Sequence, residues 1–260
     1  MTEKKRRSKG SLLFRTIEEE QGNLPWGNVL DAGAGVNSIE WLAGLTTDSI
    51  TGVTGSKVEK RIMLNQHPDI LRKQDTITVG NWSDVDFMSN QRFDTVIADY
   101  LLGAIDGFAP FFQSYLFKRL RPLTLKRLYI TGLEPYVPVS RPKSPAGQII
   151  WEIGRLRDAC VLLSGANPYR EYPALWVSDQ LQSSGFEVIS VKHFKTGLKR
   201  LFVDAQINIA LSSIQNLKDP DLVNLLSKRA QNLRKRALEI IKEEGALRHC
   251  RNYLISAETR

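Results

Sequence analysis

The chain has 260 residues, with 36 Lys+Arg against 28 Asp+Glu and a formal charge of +8. At 42% hydrophobic and 25% charged residues it has the composition of a soluble globular protein, which excludes a fibrous, low-complexity or wholly disordered chain. The excess charge is confined to the ends: residues 1–10 carry five bases and one acid, residues 216–260 carry ten and six, and residues 11–215 hold 21 of each sign.

Residues 1–10 are polar and basic and are expected to be disordered. Ser11 is placed to cap a short helix over 11–21. Strands and helices then alternate. NVLDAG (28–33) reads as a strand and SIEWLAGL (38–45) as a helix; SITGVTG (49–55) is a strand, and KVEKRIMLNQ (57–66) a helix ended by His67-Pro68. DTITVGN (75–81) and FDTVIADY (93–100) are further strands, PFFQSYLFKRL (110–120) is a helix, and KRLYITGLEP (126–135) is a fifth strand. Short strands rich in Val, Ile and Thr, separated by helical patterns, imply parallel β-α-β units.

The pattern changes at 135–147, where four prolines predict an extended loop. Helices follow at 148–164 and 174–183. FEVISVKHF (186–194) and LKRLFVDAQINIAL (198–211) read as two strands joined by a turn at Gly197, which makes them antiparallel. A last helix starts at Asp219-Pro220-Asp221, with an acceptor at the cap and proline at the first position. The expected organisation is a basic tail (1–10), one α/β domain (11–215) with an insertion at about 136–172, and a helical C-terminal extension (216–260).

No apolar run approaches the ~20 residues of a membrane span, and the N-terminus lacks a signal-peptide stretch. Cys160 and Cys250 are far apart, and His67, His193 and His249 are isolated. That spacing argues against a metal site or disulfide framework and for a reducing, cytoplasmic setting.

Asp31-Ala32-Gly33-Ala34-Gly35 lies between the first strand and its helix. Glycines there permit a tight turn and close approach of a ligand to helix amides. A dinucleotide fingerprint needs a third glycine, and Ser38 stands in its place. Strand-Asp-x-Gly-x-Gly instead resembles the first motif of class I S-adenosylmethionine-dependent methyltransferases, over roughly residues 25–211. Residues 169–194, an aromatic-bearing helix followed by a Gly-Phe and an apolar strand, resemble the small-molecule branch of that family. The resemblance implies an α/β fold: a seven-stranded, mostly parallel, Rossmann-like sheet with an antiparallel last strand, helices on both faces, a helical lid insertion, and here a C-terminal helix. It also implies S-adenosylmethionine as cofactor. Asp31 would order the methionine amino group, with Gly33 and Gly35 beneath it. Thr54 stands where the family has an acid for the ribose hydroxyls. Asn81 stands where an Asp contacts the adenine amine, and Trp82 either stacks on adenine or anchors its loop in the core.

Methyl transfer from a sulfonium depends largely on positioning, and a base is needed only where the nucleophile must lose a proton. Asp99 and Tyr100, at the end of the fourth strand, are the candidate catalytic residues, together with Glu134 at the end of the fifth. Their structural alternatives are a turn cap, a core aromatic and a salt bridge. The 136–172 insertion is read as a lid over a small-molecule substrate, with Tyr136, Arg141, Trp151, Arg155, Tyr169, Arg170 and Tyr172 as candidate substrate contacts. Aromatics supply apolar walls or hold cations, and arginines hold carboxylates. Its alternative is a helical embellishment. The basic ends leave two other readings open: an RNA or protein methyltransferase docking nucleic acid or an acidic protein, and a non-catalytic methyltransferase-like assembly protein. The C-terminal helix could also pair with itself in a homodimer.

Overall fold

The computed structural model describes residues 11–66 and 68–260; the basic segment 1–10 and His67 lie outside the described residues. In chain order the elements are α1 (Leu12–Gln21), β1 (Asn28–Asp31), α2 (Val36–Ala43), β2 (Ser49–Thr54), α3 (Lys57–Gln66), β3 (Thr76–Val79), β4 (Phe93–Asp99) and the short α4 (Leu101–Ala104). They continue with α5 (Gln113–Leu120), β5 (Thr124–Leu133), α6 (Pro145–Leu163), α7 (Ala174–Ser183), β6 (Phe186–Leu198), α8 (Arg200–Ile214), α9 (Pro220–Glu244) and β7 (Leu247–Thr259).

The seven strands form one sheet in the order β3-β2-β1-β4-β5-β7-β6. β1 pairs in parallel with β2 and β4, β2 with β3, and β4 with β5. β7 runs the other way. Near the start of β5 the Thr259 hydroxyl donates to the carbonyl of Leu125, and just past its end Glu134 N–H donates to Arg251 O. Residue numbers thus rise along β5 as they fall along β7. The same holds toward β6, where Arg260 N–H donates to Gly185 O and Gly197 abuts Ala246.

The chain divides into two compact units, with divisions falling within β5, β6 and β7 and in the connection between α6 and α7. The first comprises the described residues up to Gly132 with Tyr172–Lys192 and Tyr253–Arg260; the second comprises Leu133–Glu171 and His193–Asn252. The core of the first is the apolar filling of the sheet, including Leu30, Val96, Phe117, Leu128, Phe186 and Ile255. Here α1 docks by stacking Phe14 on Trp41 at 4.4 Å, and the Trp41 indole N–H donates to Glu18 at 2.9 Å. The second unit packs α6, α8 and α9 around Ile149, Ile153, Val203, Ile207 and Leu233.

Two sequence expectations are corrected. The segment 198–211 is not a strand: β6 extends to Leu198, and Arg200–Ile214 is α8. Ala205, Ile207 and Ile209 alternate with polar residues like a strand, but the buried set is Val203, Gln206, Ile207, Ala210 and Ile214, which is helical spacing over about three turns. The seventh strand instead lies in the segment read as a helical extension. The predicted helix is present as α9, with Asp219 accepting from Leu222 N–H at 3.0 Å, but it stops at Gly245 (φ 78). β7 follows and buries Tyr253, Leu254, Ile255 and Ala257.

Because β7 lies between β5 and β6, its apolar side chains are core residues. Ile255→Ala, at a fully buried site, is expected to lower unfolding free energy by about 2–5 kcal/mol in urea titrations. Ile189→Ala on β6, 47% exposed, should cost under about 1 kcal/mol.

Candidate cofactor site and the cavity of the second unit

In the first unit the turn after β1 is pinned from both sides: Ala32 N–H donates to Ile97 O at 2.8 Å and Ala34 N–H to Val53 O at 2.7 Å. Asp31 is fully buried at the end of β1. Its Oδ1 accepts from Gly33 N–H at 3.3 Å, and its Oδ2 has no partner among the described residues. Burial pushes the Asp31 carboxyl up to about 7, offset in part by the nearby Ser38 hydroxyl, whose proton goes to Gly35 O, and reinforced by the negative charge of Asp99. A Cβ at Gly33 would come within 3.2 Å of Leu101, so any larger residue there would have to push Leu101 aside by a few tenths of an ångström. At Gly35 a Cβ would meet nothing within 4 Å, and φ −131 suits any residue. Gly35 caps α2, so its open space adjoins helix-end amides that favour a negative group.

Four of the expected cofactor residues (Gly33, Thr54, Asn81 and Trp82) line one cavity of about 130 Å³. Thr54 is buried at the end of β2, and its hydroxyl accepts from Ser56 N–H at 3.3 Å. Asn81 is engaged by its own loop: its Oδ1 accepts from Ser83 N–H and Oγ, and its Nδ2 donates to Phe108 O at 2.8 Å. Trp82 is a buried anchor, donating to Ala32 O at 2.8 Å and packing edge-on with Phe87, while still lining the cavity. Gly55, also in the lining, leaves room for the Phe108 ring, which lies 2.6 Å from where a Cβ would sit. Glu59, in the first turn of α3, also faces this cavity and was missed from sequence. An acid there reads as an ordinary helix-end residue.

Asp99 ends β4 and is largely buried; burial raises its carboxyl above the usual range, partly offset by the hydrogen bond that the Thr131 hydroxyl donates to it. Tyr100 takes φ 48, an uncommon left-handed conformation for a tyrosine. Its N–H donates to Thr131 Oγ1 at 3.1 Å and Thr131 O at 3.2 Å. Thr131 thus braces both residues at the strand end. Strain held this way clusters at functional sites.

In the second unit a cavity of about 400 Å³ is lined only by residues from the 135–171 stretch. Of the seven expected substrate contacts, Tyr136, Arg155, Tyr169 and Arg170 line it. Trp151 adjoins them, with the Arg155 guanidinium 4.8 Å from its ring centre and its indole N–H donating to Pro138 O. Arg141 points elsewhere: it shares Glu152 with Arg229 and Arg236 on the surface. Tyr172 belongs to the first unit, where it packs on Trp176 at 4.4 Å. Glu134, in the second unit, hydrogen-bonds His193 Nε2 at 2.9 Å.

The residue that organises this cavity, Arg157, is also legible only in the structure. Its guanidinium is 3% exposed and donates to Tyr136 Oη at 2.5 Å, Tyr169 Oη at 3.2 Å, Gln206 Oε1 at 2.5 Å and Asp158 Oδ1 at 2.5 Å. Arg170 closes the chain on Asp158 Oδ2 at 2.8 Å. Burial raises the Tyr136 hydroxyl well above its ordinary value, so it stays protonated.

No protein-family model and no curated protein matches the sequence. The fold does match solved structures. A methyltransferase candidate from Bacillus halodurans aligns at TM-score 0.61 and 12% identity, over 96% of this chain and 99% of that one. The [4+2]-cyclase SpnF aligns at 0.54 and 17%, over 95% and 80%. Mycolic acid cyclopropane synthase CmaA1, complexed with SAH and CTAB, aligns at 0.53 and 12%, over 94% and 82%. The chain therefore has the Rossmann-like fold of the class I S-adenosylmethionine-dependent methyltransferases. At such identities the likeness extends to the fold, and a fold hosts more than one chemistry. No helix among the described residues is long and apolar enough to cross a membrane.

Two outcomes follow. The folded Asp31 carboxyl titrates above its ordinary value of 3.8, so the stability it contributes is full below pH ~4 and is lost as pH rises through about 7. Asp31→Asn should therefore stabilise the ligand-free protein more at pH 8 than at pH 5 in urea titrations. Removing either member of the buried Arg157–Asp158 pair should cost about 3–5 kcal/mol. The double variant should cost less than the sum in a double-mutant cycle.

Proposed function

We propose that the chain is an S-adenosylmethionine-dependent methyltransferase whose acceptor is a small molecule held by the 136–172 segment. The observation that carries this reading is the buried, unpartnered Oδ2 of Asp31 at a glycine turn in this fold. A buried acceptor without a donor is costly, and a cationic amino group is the partner that both satisfies it and draws its proton off. Asp31 would hold the methionine ammonium, with Gly35 leaving space at the start of α2. Glu59 supplies, from α3, the carboxylate that Thr54 lacks for the ribose hydroxyls. Gly33, Thr54, Asn81 and Trp82 line the adjoining cavity while Asp31 and Gly35 lie outside its lining, and the SAH bound to CmaA1, a protein of the same fold, supports this reading.

The cofactor, when bound, supplies an activated methyl group on sulfonium. This chain's own part is to bind, orient and move a proton. Asp99, held by Thr131 and shifted upward by burial, is suited to take a proton from an acceptor. Tyr100, fixed by two hydrogen bonds to Thr131, presents its side chain from a rigid strand end.

The cavity of about 130 Å³ is smaller than the roughly 300–1,000 Å³ of ordinary small-molecule sites. That observation favours the second reading, a methyltransferase-like protein that binds no cofactor. Calorimetric titration decides between them. Micromolar S-adenosylmethionine binding is expected, abolished in Gly35→Arg without loss of the melting transition, since that site has open space. Asp31→Asn should weaken binding about tenfold or more, the value of a hydrogen bond to a charged group. No measurable binding to the unaltered protein would establish the second reading.

A further inference from the structure

Five charged side chains line the 400 Å³ cavity of the second unit, and three of them are engaged with one another: Arg157 and Arg170 share Asp158. The other two are not. Arg155 is an exposed residue with no hydrogen bond or ion pair among the described residues; its guanidinium lies on the face of Trp151, which fixes its plane and leaves the edge N–H groups to solvent or a ligand. Glu171 likewise has no hydrogen-bond donor among the described residues, although it is half-buried; burial pushes its carboxyl up to about 7 against the attraction of Arg157, and the other titratable group facing it, the buried Cys250 thiol, is held neutral by burial and by Glu171 itself. A guanidinium without an acceptor and a half-buried carboxyl without a donor thus line one cavity.

An anion alone would leave Glu171 without a donor and would oppose its ionisation. A cation alone would leave Arg155 open. One small molecule bearing both charges satisfies both groups. We propose that this cavity binds a zwitterion of amino-acid type, with its carboxylate on Arg155 and its ammonium on Glu171. The rings of Tyr136 and Tyr169 provide the apolar wall, and the Arg157 network holds that wall rigid. This rests on the reading above that the 136–172 segment holds the acceptor, and it names the acceptor's class.

The proton balance gives a signature that a merely structural cluster would not produce. At pH 7 a carboxyl with a pKa of about 7 is partly protonated. An ammonium beside it lowers that pKa, so binding releases protons, whereas an anion bound near it would cause uptake.

The test uses the full chain without cofactor, titrated calorimetrically at pH 7 in two buffers of different ionisation enthalpy. The probes are the free protein amino acids, followed by the amide and the des-amino acid of each one that binds. Saturable binding of at least one amino acid with proton release is expected, and its amide and des-amino acid should bind about tenfold more weakly. Arg155→Gln should erase the preference over the amide, and Glu171→Gln the preference over the des-amino acid together with the proton release. Both residues lie at the cavity surface, so retained melting transitions are expected for the two variants. The proposal is overturned if no amino acid saturates below about 10 mM, if the des-amino acid binds equally well, or if protons are taken up. A protein that binds cofactor but no zwitterion defeats this proposal alone; one that binds a zwitterion but no cofactor defeats only the methyl-transfer reading.

Discussion

The pairing of β1 with β4 is the constraint on which the first unit's site depends. The strand order passes from β1 to β2 on one side and to β4 on the other, so the sheet changes direction of growth between them. Open α/β sheets bind ligands at the carboxyl edge of such a switch point. Here two carboxylates, Asp31 and Asp99, end those two strands, and each is shifted upward chiefly by burial. A pair of like charges in a desolvated place is stable only if at least one is neutral or a cation arrives. The same burial that makes the ligand-free turn costly makes it selective for a positively charged group.

Much of this edge was legible in the sequence because it is local. The Asp-x-Gly-x-Gly turn occupies five consecutive residues, and its role follows from glycine geometry and a neighbouring strand. The sequence could not distinguish glycines facing a ligand from glycines facing the chain's own rings. Gly35 opens onto empty space, whereas Gly55 makes room for Phe108, from a loop some fifty residues later. Asn81 likewise reads as a ligand contact until its amide is found holding that loop.

The misread elements have physical reasons as well. α8 carries a short polar–apolar alternation inside a helical pattern, and only its fifteen-residue length and its packing against α6 and α9 decide the matter. β7 was hidden behind a long amphipathic helix whose end is marked by one glycine. Arg157 was hidden because its partners Tyr136, Tyr169 and Gln206 are spread over seventy residues of sequence. The basic C-terminal segment also changes meaning: Arg229 and Arg236 converge with Arg141 on Glu152, and Arg234 pairs with Asp204. Part of the charge that suggested an external acidic partner neutralises acids within the second unit.

β6 ends the sheet order, so among the described residues one side of a thirteen-residue strand has no neighbour within the sheet. Such a margin is a template on which another chain's strand can add, and Ile189 and Val191 on it are well exposed. Glu187 and Lys195 interrupt the run with charges that a docking strand would have to desolvate, whereas Lys192 is held in an ion pair with Glu20. Self-association in concentrated solution therefore turns on the charges that stay unpaired along this margin: replacing Glu187 and Lys195 by threonine removes part of the barrier to strand-by-strand addition.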